Sequence, residues 1–290
     1  MPLKIAETLI GILTYDPCIG EYVTVQQQIP ALPFVQQNNN VLGLNKSYLS
    51  TLENLDKSCG YAKYREEFLT FPPNKTQPPL YFNSTSNPDC DLWGSVYDAS
   101  YAPNPCFNVY EIGSQCPLLG DPLGYPTDLQ YSYPGTPVYF NRTDVKKAMH
   151  APMEVDWLEC AGPVFVGNGG PQGEGDLSPD PIQKVLPRVI EATNRVLVAN
   201  GDLDLEILTN GTLLAIQNMT WNGKMGFQKA PSTPINIKLR DLEYEAVFTA
   251  SGFGDIDDPQ GVMGIQHYER GLLWAETYLS GHMEPQFQPR

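Results

Sequence analysis

Positive charge is scarce in this chain of 290 residues: 18 Lys and Arg stand against 33 Asp and Glu, a formal net charge of −15. So acidic a composition excludes nucleic acid as a partner, because phosphate binding needs a basic face. Long apolar runs are missing too. No stretch of about 18 apolar residues occurs, so no membrane-spanning helix and no membrane partner are expected. The six cysteines form no CxxC pair and stand at no zinc-finger spacing from a histidine, which argues against a metal site. Nothing in the sequence implies a cofactor. Histidine is limited to positions 150, 267 and 282, which narrows the choice of any proton-transferring imidazole. A leader is also lacking, since Glu7 interrupts the apolar run of Met1–Gly20. Together with a chain that stops at Pro289–Arg290 without a closing helix, this predicts that the natural N-terminus lies further upstream.

What is present points to a secretory route. Six N-x-S/T sequons stand at Asn45, Asn74, Asn83, Asn141, Asn210 and Asn218, more than random placement gives. Sequons combined with spaced cysteines predict an oxidising compartment, secreted or of vacuolar or lysosome-like character. The acidic charge by itself needs no explanation beyond solubility.

Three regions are expected, with boundaries near 20 and 140. Residues 1–20 hold a short apolar run ending in Asp16-Pro17, a core strand. Residues 21–140 are rich in Pro, Asn, Tyr and Ser, and segments such as PPNKTQPP cannot sustain regular elements. This region reads as a cap or lid insertion. Its cysteines Cys59, Cys90, Cys106 and Cys116 are the candidate disulfide staples, in a pattern sequence cannot determine. Within it, Leu49, Leu52 and Leu55 give helical spacing to Lys46–Tyr64. Residues 141–290 are α/β in character. Helices are predicted over 142–150, 182–194 and 208–219, and strands over 195–200 (RVLVAN) and 271–278 (GLLWAETY). This order implies a βαβ sheet.

Chemistry is expected where such strands end, since functional groups of open α/β sheets gather beyond the carboxyl ends. Gly201-Asp202-Leu203-Asp204 follows the first of these strands. A carboxylate there can hold a histidine in one tautomer and stabilise its imidazolium. Asp204 is the candidate, and its alternative is an N-cap or turn aspartate bonded to its own backbone. His282 stands in a Gly-led loop after the second strand, 78 residues on (282 minus 204). An isolated histidine is more often a surface or core residue, although the order Asp then His is that of the hydrolases.

GDLDLEILTNGT at 201–212 and SGHMEPQFQP at 280–289 resemble the Asp and His motifs of the serine carboxypeptidase family (peptidase family S10). NMTWNGKMGF at 218–227 and the Asn141–His150 stretch, followed by Trp157 and Cys160, are similar to further family segments. The resemblance covers residues 8–290, loosest in the cap. It implies an incomplete α/β-hydrolase sheet with a disulfide-stapled cap insertion. Asp204 is then the orienting acid and His282 the general base and acid. Asp202 takes a structural role in the loop, and Met283 sits beside the leaving side of the substrate. It also implies a nucleophile in G-E-S-Y-A-G, and no G-x-S-x-G occurs in these 290 residues. The family's oxyanion loop precedes that serine. Gly167-Asn168-Gly169-Gly170-Pro171 resembles it in composition but falls on the wrong side of the cap and is rejected. The resemblance pairs a cysteine such as Cys160 with one nearer the N-terminus, outside this sequence, with Cys18 as the alternative partner.

The activity so implied is release of C-terminal residues from peptides or proteins through an acyl-enzyme, with this chain inactive on its own for want of the serine. The alternatives are a non-catalytic secreted glycoprotein serving as a binding module, and a carboxypeptidase-like acyltransferase. Oligomeric state is open.

Overall fold

The computed structural model describes residues 10–82, 85–104, 106–115, 138–157, 178–236 and 261–288. Its centre is a five-stranded mixed sheet built from β1 (Ile12–Tyr15), β2 (Val196–Gly201), β5 (Thr233–Asn236), β6 (Val262–Glu269) and β7 (Leu272–Thr277). The order is β1-β2-β7-β6-β5. β1, β2 and β7 run parallel, and β6 and β5 return antiparallel. A two-stranded ribbon, β3 (Thr220–Trp221) with β4 (Lys224–Met225), stands apart. β2 is central because its sequence suits burial on both sides: Val196, Val198, Ala199 and Asn200 are all buried. β1 lies at the sheet edge with Ile12, Leu13 and Tyr15 exposed, so its apolar run marks pairing with β2 and not a buried core.

Two helices cover one face of β2. α6 (Val185–Thr193) follows a 3₁₀ turn at Pro181–Gln183, and α7 (Thr209–Gln217) follows the loop after β2. Ile190, Leu213, Ile216, Val196, Val198, Leu272 and Trp274 pack together there. On the opposite face Tyr15, Leu197, Ala199, Met263 and Ala275 line a recess of about 390 Å³, together with Glu284 and Pro285.

Residues 22–104 carry more helix than their composition predicts. A π-helical turn (Tyr22–Gln28) leads into α1 (Ala31–Leu42), followed by α2 (Lys46–Ser58), α3 (Tyr61–Phe68) and α4 (Leu92–Tyr101). The predicted helix over 46–64 is two helices broken at Gly60, which takes φ 81°. α1 escaped the sequence reading because Pro33 and three consecutive asparagines argue against helix, yet Pro33 falls in its first turn, where the missing N–H is harmless. Leu32, Val35, Leu52, Tyr61, Leu92 and Val96 build a second core that reaches Leu205, Leu208 and Leu214 beside the sheet.

Cys59 and Cys90 form a disulfide joining the end of α2 to the turn before α4. Cys106 is also disulfide-bonded and fully buried. Cys116, Cys160 and residues 167–171 lie outside the described residues. Cys18 is an exposed free thiol. Asn45 and Asn74 are exposed, and Asn141, Asn210 and Asn218 are half-buried. Asn45 caps α2 through its side chain, and Asn83 is not described. The helix over 142–150 is α5 (Thr143–Ala148), which Arg142 precedes without a side-chain cap. No helix among the described residues is long and apolar enough to cross a membrane.

Candidate active site

Parallel pairing of β2 with β7 brings their carboxyl ends level, with Gly201 opposite Thr277. The two loops that follow must then cross. A Cβ on Gly201 would fall 2.3 Å from the Ser280 carbonyl oxygen, and one on Gly281 would fall 2.0 Å from the Tyr110 carbonyl oxygen. Glycine at both positions is what permits the close approach. Backbone bonds fasten the crossing: Asp202 N–H donates to Thr277 O at 3.1 Å and Leu203 N–H to Ser280 O at 2.9 Å. Asp202 accepts from the Ser280 N–H at 3.3 Å, and burial pushes its carboxyl up to about 6.

A short stretch after α4 clasps both loops. Leu205 N–H donates to Val109 O at 2.8 Å, Ile112 N–H to Leu203 O at 3.1 Å and His282 N–H to Tyr110 O at 2.7 Å. The Tyr110 ring leans on the imidazole of His282, with ring centroids 5.3 Å apart.

Asp204 sits at the centre of this crossing with no exposed surface. Its Oδ1 accepts from the Glu206 N–H at 2.7 Å, and its Oδ2 from the Ile207 N–H at 3.2 Å. The same Oδ2 meets His282 Nδ1 at 2.8 Å. Asp204 thus closes its own turn and faces the imidazole. Burial raises the Asp204 carboxyl well above the ordinary range, and the two backbone N–H groups oppose that shift. The His282 side chain keeps 29% of its surface exposed, so its ring is open to a reactant while its partner is dry. With Nδ1 committed to Asp204, Nε2 is the nitrogen left to exchange a proton. Met283, half-buried, follows as the residue that caps α8 (Glu284–Phe287). His267 bonds Glu269 at 3.1 Å within β6, and His150 ends the turn after α5.

A third carboxyl reaches this couple from β1. Asp16 places an oxygen within 4.8 Å of both an Asp204 carboxylate oxygen and a His282 ring nitrogen. Nothing in the sequence singled it out beyond a strand ending in Asp-Pro.

The serine carboxypeptidase family profile matches residues 4–290. The chain belongs to the serine carboxypeptidase family. It is 57% identical over 284 residues to "Serine-type carboxypeptidase F" of Aspergillus niger, covering 97% of this chain and 53% of that protein. To a "Probable serine carboxypeptidase" of Arthroderma benhamiae it is 40% identical over 278 residues, 96% of this chain and 49% of that protein. The chain thus spans about half the length of the curated relatives it matches. In structure it resembles Kex1(Δ)p, a prohormone-processing carboxypeptidase from Saccharomyces cerevisiae, with a TM-score of 0.53 and 19% identity over 94% of this chain and 50% of the other. That likeness shows the fold they share, an α/β-hydrolase sheet with helices. Within this serine carboxypeptidase framework, Asp204 and His282 occupy the loops beyond the carboxyl ends of β2 and β7.

Proposed function

We propose that this chain supplies the proton-relay arm of a serine carboxypeptidase that releases C-terminal residues from peptides or proteins. A serine oxygen attacks the last peptide carbonyl. His282 takes the serine proton on Nε2 and passes it to the departing amine. It then draws a proton from water as the acyl-enzyme is hydrolysed. Asp204 orients the ring through Nδ1 and stabilises the imidazolium. Met283 borders the departing residue. The serine is absent from these 290 residues, so they are inactive in isolation. The sequons and the disulfides support a role in an oxidising lumen or outside the cell.

The observation that carries this reading is the 2.8 Å bond between His282 Nδ1 and a fully buried Asp204 in the two crossing loops. A chimera joining the first half of the Aspergillus niger relative to these residues tests it. The chimera should hydrolyse a blocked dipeptide, and His282→Ala should lower its kcat/KM by about 10³-fold or more. The 290 residues alone should neither hydrolyse the dipeptide nor react with a fluorophosphonate. Stoichiometric labelling of a serine in that chain, or a chimera indifferent to His282→Ala, defeats the reading.

A further inference from the structure

Two carboxylate oxygens buried beneath the Asp204–His282 couple lack a hydrogen-bond partner among the described residues: Asp16 Oδ2 and Glu284 Oε1. Their residues are only 3% and 4% exposed. The other oxygen of each is engaged. Asp16 Oδ1 accepts from Asn200 Nδ2 and from the Gly201 N–H, both at 3.1 Å. Glu284 Oε2 accepts from the Thr277 hydroxyl at 2.7 Å. Asp16 also lies close to both Asp204 and Glu284, with an oxygen within 4.8 Å of one on Asp204 and a charge interaction with each. An ionised carboxylate only accepts, so three such groups cannot satisfy one another unless one of them carries a proton.

We propose that Asp16 is a positioning residue: a neutral carboxylic acid whose Oδ2–H is shared with the carboxylates of Asp204 and Glu284, holding Asp204 ionised and aimed at His282. Asp16 is the natural holder of the proton, because both Asp204 oxygens already accept from the Glu206 N–H, the Ile207 N–H and His282 Nδ1, whereas Asp16 Oδ2 accepts from none of the described residues. Burial, reinforced by the charges of Asp204 and Glu284, pushes it up to about 10 against the opposing influence of His282 and the Gly201 N–H. Burial moves Glu284 only to about 7, and its contact with Asp16 works against that rise. The other charged group facing Asp204 is Glu206, which disfavours its ionisation, so a donor on the Asp16 side matters more. Asp16 is fixed by its place in the fold. It follows β1 with φ 39°, and its N–H donates to Ala199 O at 2.8 Å.

This rests on the proposed role of His282 as proton carrier, but its test needs no turnover. The imidazole of His282 is titrated by NMR in the 290-residue chain and its variants. Asp16→Asn replaces a neutral donor with a neutral donor, so the His282 midpoint should stay where it is. If Asp16 were ionised, the same change would remove a negative charge and lower the midpoint by about one pH unit or more, overturning the proposal. Asp16→Leu removes the donor. Asp204 should then take up a proton at higher pH, and the Nδ1–H resonance of His282 should be lost about one pH unit earlier on acidification, with Asp16→Asn retaining it. Should the variants fail to fold, infrared spectra of the wild-type chain labelled with ¹³C-aspartate decide. A protonated aspartate at about pH 8 is expected, and its absence overturns the proposal. A shifted midpoint in Asp16→Asn leaves the hydrolase reading intact, and an indifferent chimera leaves the proton assignment intact.

Discussion

At the scale of single residues, the candidate site depends on acceptors that cannot be exchanged for donors. Both oxygens of Asp204 accept backbone N–H groups, and one also receives the imidazole. Asp204→Asn puts an amide N–H₂ at one of those places. It must face either a backbone donor or the imidazole, forcing the latter into its other tautomer. Under the proposed function, kcat in the active chimera should fall by about 10⁴-fold with KM little changed, read from steady-state kinetics on a blocked dipeptide. These two residues were legible because their loops carry motifs that resemble a known family. Asp16 and Glu284 were not. An aspartate before proline looks like a turn, and a glutamate inside GHMEP looks like a solvated loop charge. Their burial arises only when β1 pairs with β2 and the loop after β7 folds over it. A weak signal existed, since an acid at the carboxyl end of a strand belongs to the zone where α/β sheets gather functional groups.

Among the elements, β2 and β7 announced themselves through compact apolar runs, and α2, α6 and α7 through periodicity. The helices α1 and α4 stayed hidden behind proline, asparagine and aromatic residues, whose propensities tertiary packing overrode. Val35, Leu92 and Val96 are fully buried, so the second core, more than local preference, holds these helices in place. The Cys59–Cys90 bond reinforces that arrangement across a separation of 31 residues. A closed loop of this length stabilises by about 3–4 kcal/mol in the chain-entropy account. Replacing both cysteines with alanine should lower the unfolding free energy by about that amount, measured by urea denaturation. Tyr110 and its neighbours gave no signal of their role, because they act through backbone carbonyls, which every sequence possesses.

For the molecule as a whole, the notable electrostatic feature is a set of buried acids that hold protons more tightly than free carboxyls do. Burial brings Asp202 to about 6 and Glu111, Glu276 and Glu284 to about 7, with Asp16 higher still. Their folded-state pKa values exceed those of the unfolded chain, near 4. Their contribution to stability is therefore complete below about pH 4 and is lost as pH rises through 6 to 7. Glu67 and Asp144 shift downward, but both lie on the surface, where solvent and salt screen the effect. The thermal midpoint should accordingly be several degrees higher at about pH 5 than at about pH 7.5, followed by circular dichroism. An unchanged or higher midpoint at the more alkaline pH contradicts the assignment of these acids.

The backbone stretch from Val109 to Ile112 also sets a rule for how such a molecule can be shortened or diversified. It belongs to the helical half in sequence, yet it is tied to the loops after β2 and β7 at once. The helices before it reach the loop after β2 as well, for Asn38 of α1 donates to Asp202 O at 3.1 Å and Trp93 Nε1 of α4 to Leu205 O at 2.7 Å. A minimal version trimmed back to the sheet would keep its aspartate, its histidine and the bonds between their two loops, but would lose the clasp that ties both loops to one stretch of backbone.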